Sequence, residues 1–155
     1  RHEMIKGGND YEITMHPYNF IWGSNMIVLC NAMNLCVAHK ISGNAKYLEA
    51  ARRQLDYILG RNAVNTSYVT GYGERAFRNP HNRPTIADGI DDPIPGFVSG
   101  GPNAFANDTI ANPEKMKGAA PMKWFADAGL SYCTNEITIY WNSPLIFILG
   151  YFLSL

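Results

Sequence analysis

Residues 24–60, SNMIVLCNAMNLCVAHKISGNAKYLEAARRQLDYILG, decide the fold class. From about Asn25 to Lys40 the apolar residues Met26, Leu29, Cys30, Met33 and Val37 fall on one face of a helix. Ser24 or Asn25 can cap its start. Gly43 breaks the pattern and Asn44 offers a second N-cap. The next stripe, Leu48, Ala51, Leu55, Ile58 and Leu59, runs to a stop at Gly60. Two helices joined by so short a link fold back as an antiparallel αα-hairpin.

Outward from the hairpin, a third helix reads from Ser143 as N-cap and Pro144 at its first position, a favoured pair. Leu145, Ile146, Phe147, Ile148, Leu149, Tyr151, Phe152 and Leu153 make it apolar nearly all round, so the expectation is a buried helix. Between the helices, about Arg61 to Lys123, Gly, Pro, Asn and Asp dominate, with Ser67–Thr70 a candidate short strand. So long an irregular span is uncommon in a compact domain unless it is functional or disordered. Tyr68, Tyr72, Phe77, Phe97, Phe105 and Trp124 argue for ordered loops laid over one end of a helical scaffold. The fold class is therefore all-α.

Bulk properties narrow the function. The chain has 155 residues, 46% of them hydrophobic, and a formal net charge of zero with no basic run. That excludes nucleic acid and a membrane surface as partners. The apolar Pro144–Leu155 is shorter than the roughly 20 residues that a bilayer requires. Cys30, Cys36 and Cys133 make neither a disulfide framework nor a zinc-ligand spacing, so buried thiols are expected and a metal site is not. Arg1 opens the chain without an apolar leader, which carries no weight if the chain begins inside a longer protein.

Chemistry concentrates in two stretches. Tyr132-Cys133-Thr134-Asn135-Glu136 leads through Ile137-Thr138-Ile139-Tyr140 to Trp141-Asn142-Ser143-Pro144, setting Glu136 among aromatics and amides. A carboxyl group that must donate a proton needs such low-dielectric neighbours, and flat aromatic rings suit the apolar faces of sugars. Asp127 lies nine residues before Glu136, across Gly129. In Pro80-His81-Asn82-Arg83-Pro84 two prolines stiffen a loop bearing an imidazole and a guanidinium. These either donate to substrate hydroxyls or bond backbone carbonyls. Gly100-Gly101 permits a close backbone approach or a turn. Asp88, Asp91 and Asp92 could bind calcium, but lack the ligand order of an EF-hand.

These residues resemble a known family. Ser67 through Gly73 and Arg75 to Pro80-His81-Asn82-Arg83, then Phe125-x-Asp127, Tyr132, Glu136, Thr138 and Asn142-Ser143, are similar to the two signatures of glycoside hydrolase family 9, which includes many cellulases. Leu55-Asp56-Tyr57-Ile58-Leu59-Gly60-Arg61-Asn62 and Gly100-Gly101-Pro102-Asn103 add to the likeness. The resemblance implies the C-terminal part of an (α/α)6 barrel, with the whole of 1–155 a fragment of one catalytic domain. It implies hydrolysis of β-1,4-glucosidic bonds with inversion, Glu136 acting as general acid and Asp127 as an active-site carboxylate. His81 and Arg83 match the substrate-contacting loop, and Tyr68 and Trp141 are expected to face sugars. No cofactor is required, and structural calcium stays open. The expected partners are a β-glucan or cello-oligosaccharide and the missing N-terminal part of the domain. An extracellular location follows from the resemblance. The family's base motif, Asp-Ala-Gly-Asp, is absent from these residues, where Asp127-Ala128-Gly129 is followed by Leu130. A non-catalytic glucan-binding remnant is the alternative.

Overall fold

A computed structural model describes residues 11–155. Its frame is three helices: α1 (Ser24–Ser42), α2 (Ala45–Ile58) and α5 (Ile139–Leu153), with two short helices, α3 (Arg83–Ala87) and α4 (Tyr132–Asn135), set in the loops. The hairpin forms as its sequence predicts. Gly43 ends α1 at φ 66°, donating its N–H to His39 O at 2.8 Å. The Asn44 side chain caps α2 by accepting from Lys46 N at 3.1 Å. The start of α1 differs from expectation. Gly23, at φ 80°, is the N-cap, while Ser24 and Asn25 turn inward to Pro102 O and Ser99 O.

Both helices bury a face rotated from the one that periodicity picks out, sharing with it Leu29 on α1 and Ala51 and Ile58 on α2. The core side of α1 is Asn25, Val28, Leu29, Ala32, Leu35 and Cys36, whereas Val37 is exposed. On α2 it is Ala50, Ala51, Gln54, Tyr57 and Ile58, with Leu59 exposed. Small residues at the contact let the helix axes approach, and larger ones flank it. Gln54 tolerates burial because Thr14 N, Ala50 O and Glu12 O satisfy its amide.

α5 begins five residues before the expected start, with Thr138 as N-cap, and Pro144 lies inside it. A proline there removes the N–H that would bond Tyr140 O. Ser143 Oγ donates to that carbonyl instead, at 3.3 Å. Nor is α5 buried all round. Trp141, Pro144, Leu145 and Ile148 are enclosed on the side facing α1, while Ile139 (89% exposed), Ile146, Leu149 and Leu153 face outward. A helix apolar on every side needs a partner on every side, and α1 covers only one.

Ser67–Thr70 is extended but does not join a regular strand. It makes isolated bridges, Ser67 with Ala76 and Val69 with Val98, and others pair Ser99 with Ile137 and His81 with Glu136. Backbone bonds run across this patchwork: Phe77 N to Ser67 O, Ser99 N to Tyr68 O, Gly100 N to Glu136 O and His81 N to Asn135 O. Four loop segments thus lie side by side over the ends of the helices. The two signature stretches, remote in sequence, become neighbours.

Candidate active site

Glu136 follows the single turn of α4 and is half-buried. Its Oε2 accepts from Trp22 Nε1 at 3.0 Å. The Trp22 ring lies 5.7 Å from that of Tyr132, which lies 5.9 Å from the imidazole of His81. A carboxyl group is thus framed by an indole that is 46% exposed, a phenol and an imidazole. No local sequence signal marks Trp22, because its bond to Glu136 spans 114 residues.

His81 realises one of the two readings of its loop. Nδ1 bonds Gly129 O at 2.6 Å. A carbonyl only accepts, so Nδ1 carries a proton and Nε2 remains for other contacts. Arg83 opens α3 with its side chain exposed. Asn82, between them, is the α3 cap, accepting from Thr85 N at 3.2 Å.

Asp127 clamps the loop before His81. It accepts from Arg78 N at 2.9 Å, Asn79 N at 2.8 Å and Asn79 Nδ2 at 3.3 Å. Asn135 ties the same loop to α4. Its Nδ2 donates to Ala126 O, Ala128 O and Asn79 O within 3.1 Å.

Two expected sugar-facing rings are not at the surface. Tyr68 is 0% exposed, edge-on to Phe125 at 4.9 Å, and burial pushes its phenol well up. Trp141 is 3% exposed and lies between two glycines. A Cβ on Gly23 would meet its ring at 3.0 Å, and one on Gly100 at 2.9 Å. An enclosed ring offers no face to a ligand, so both are corrected to structural roles. Trp141 supports the segment beneath Glu136, whose carbonyl accepts from Gly100 N at 3.1 Å. Gly101 resolves the choice between turn and close approach: a Cβ there would sit 2.4 Å from Asn25.

Two of the three residues of the acidic cluster have partners. Asp92 pairs with Arg78, and Asp88 accepts from Ile90 N. Among the described residues no group of three or more His, Cys, Asp or Glu could hold a metal ion. The three cysteines are free thiols, each pushed up by burial.

Helices carrying an open, loop-built site, with a carboxyl group framed by aromatic rings, define a class suited to carbohydrate. Comparison with known proteins makes the assignment definite. The model of glycosyl hydrolase family 9 matches residues 3–149, and the chain belongs to that family. It is 50% identical over 142 residues to a cellodextrinase of Butyrivibrio fibrisolvens, covering 92% of this chain and 26% of the relative. It is 39% identical to a cellulose 1,4-beta-cellobiosidase of Acetivibrio thermocellus, covering 84% of this chain and 15% of that protein. Among solved structures it superposes on AaCel9A in complex with cellobiose-like isofagomine with a TM-score of 0.89 at 40% identity, covering 98% of this chain and 29% of that one. The fold is a portion of an (α/α)6 barrel. The chain spans about a quarter of the length of the cellodextrinase that it matches.

Proposed function

We propose that these residues form the C-terminal part of a single catalytic domain and supply the general acid of an inverting β-1,4-glucanase. One observation carries the reading: Glu136 is held by Trp22 Nε1 within the same cluster as Tyr132 and His81. The protonated Glu136 gives its proton to the glycosidic oxygen as the bond from that oxygen to the anomeric carbon breaks. Water attacks that carbon from the opposite face and loses a proton to a carboxylate base, roughly 6.5–9.5 Å from the acid. The β-linkage yields an α-anomer, and solvent returns the proton to Glu136.

Asp127, an active-site carboxylate in this reading, accepts from Arg78 N and Asn79 N and helps to position the loop before His81. The rest of the domain supplies the base, and no cofactor takes part. His81 Nε2 and Arg83 bind substrate hydroxyls, and Trp22 with Tyr132 offers ring faces to the sugar. Relatives named cellodextrinase and cellobiosidase support a cello-oligosaccharide or β-glucan substrate. A polymeric glucan is met outside the cell, so an extracellular address belongs to this reading. No helix among the described residues is long and apolar enough to cross a membrane.

In an intact domain carrying these residues, Glu136→Gln is expected to lower turnover of cello-oligosaccharide by about 10²–10⁴-fold, the usual contribution of a placed acid. Near-normal turnover removes Glu136 from the role, and NMR of early product showing the β-anomer breaks the inverting assignment. Oligosaccharide affinity with zero turnover in the intact wild-type domain would favour a glucan-binding remnant. The outward side of α5, from Ile139 to Leu153, packs against the rest of the barrel in this reading. The 155-residue chain alone should therefore self-associate or melt without cooperativity. A sharp transition from a monomeric sample would overturn that packing.

A further inference from the structure

Asp108 lies outside both signatures, yet it is only 7% exposed and every hydrogen bond that it accepts is structural. Its Oδ1 accepts from Ile110 N at 2.8 Å and Ala111 N at 2.6 Å. Its Oδ2 accepts from Ser131 Oγ and Cys133 N, both at 3.1 Å. Burial alone would push this carboxyl up, but the bonds from Ala111, Ile110, Cys133 and Ser131 outweigh it and hold it below the usual value. A satellite core of Ala106, Ala111 and Cys133 locks the Asp108 loop against the α4 turn.

α4 is four residues long, and one turn of helix does not stand alone. Its N-cap residue, Ser131, makes no side-chain cap; the hydroxyl bonds Asp108 and Thr134 instead. Asp108 takes over that duty from another loop, satisfying Cys133 N. Glu136 sits three residues beyond Cys133, and its N–H bonds Tyr132 O at 3.3 Å. The orientation of the turn therefore sets the direction of the carboxyl group.

We propose that Asp108 is a positioning residue for Glu136, aligning its proton with the leaving oxygen; this rests on Glu136 being the acid. The test uses the intact domain and two substrates, cellotetraose and dinitrophenyl β-cellobioside. Dinitrophenolate leaves without protonation, so its release does not need a well-placed acid. Asp108→Asn keeps an oxygen for residues 110 and 111 but turns an N–H₂ towards Cys133 N. It should lower kcat on cellotetraose by about 100-fold, the scale of a small misplacement, with KM little changed and the aryl glycoside cleaved near the wild-type rate. Equal losses on both substrates, or none on either, would overturn the proposal. Ser131→Ala removes one bond and keeps the carboxylate. It should show the same split at smaller amplitude if Asp108→Asn does not fold, and absence of the split there also overturns the proposal. Glu136→Gln is assayed alongside. If it shows no dependence on the leaving group, the acid reading itself fails. If it does and the Asp108 and Ser131 variants do not, only the positioning role falls.

Discussion

The helical hairpin and the loop layer are held by different physics. Between α1 and α2 the contact is apolar: Val28, Leu29, Leu35, Ala51 and Ile58 lose their water to one another. Across the loops, side-chain amides and carboxylates grip backbone groups: Asn62 on Tyr57 O and Thr66 O, Asp127 on residues 78 and 79, Asn135 on three carbonyls, Asp108 on two loops. Apolar burial has no direction and degrades gradually. A hydrogen-bonded loop has direction and fails at single atoms. The proposed mechanism places its chemistry on the second kind of structure, since proton transfer requires a fixed angle as well as proximity.

The sharpest break of that comparison pairs a substitution from each region. Glu136→Gln should remove about 10²–10⁴ of turnover while leaving the melting temperature nearly unchanged, because the half-buried carboxyl keeps a neutral isostere. Leu29, fully buried in α1, should do the reverse. Leu29→Ala is expected to cost about 2–5 kcal/mol of stability, from lost transfer energy and the cavity left behind. The pH–rate profile of the fraction that remains folded should not move. Urea unfolding and steady-state rates on both variants check the pair. A catalytic loss of the Glu136→Gln size in Leu29→Ala would mean that the two regions are not separable.

That separation also sorts what the sequence made legible. Gly43, Asn44 and Gly60 announce the hairpin because caps and stops are local chemistry. The buried face is only partly legible: Leu29, Ala51 and Ile58 belong to it as periodicity predicts, but α1 carries apolar residues on more than one side and the neighbouring helices choose among them. The start of α5 is hidden in the sequence because Ser143 with Pro144 looks like a helix opening, whereas Ser143 Oγ bonds the carbonyl that the proline leaves without its N–H. In the site, Glu136, Asp127 and His81 stood out through ordered motifs. Trp22 and Asp108 did not, because each acts across a long separation, 114 residues from Trp22 to Glu136 and 25 from Asp108 to Cys133. Ring type and family resemblance point to Tyr68 and Trp141 as sugar platforms, but burial decides otherwise.

A smaller effect tests the loop layer through acid. The folded-state pKa of Asp108 lies below its ordinary value of 3.8, so the folded protein binds fewer protons at this site than the unfolded chain does in that range. Its stabilising contribution is therefore complete above the unfolded pKa and is lost as pH falls through the folded one. Melting temperature followed downward from pH 6 should fall more steeply in wild type than in Asp108→Asn, with the two curves converging at the acid end. Parallel curves would show that the carboxylate is not charged where the hydrogen bonds require it.

The smallest expected effect compares two caps doing the same job at different range. Asn44 caps α2 from two residues away, is exposed, and sits far in sequence from both signatures. Asn44→Ala should cost about 1 kcal/mol, the usual worth of an N-cap, because water can take over the freed N–H of Lys46. Asp108 caps α4 from a distant loop in a dry setting, where nothing replaces it. Removing the local cap should lower the melting temperature slightly and leave kcat on cellotetraose unchanged. If Asn44→Ala instead slowed cellotetraose while sparing the aryl glycoside, the hairpin would be coupled to the direction of the Glu136 carboxyl group. The loop layer would then not be the sole carrier of the site's geometry.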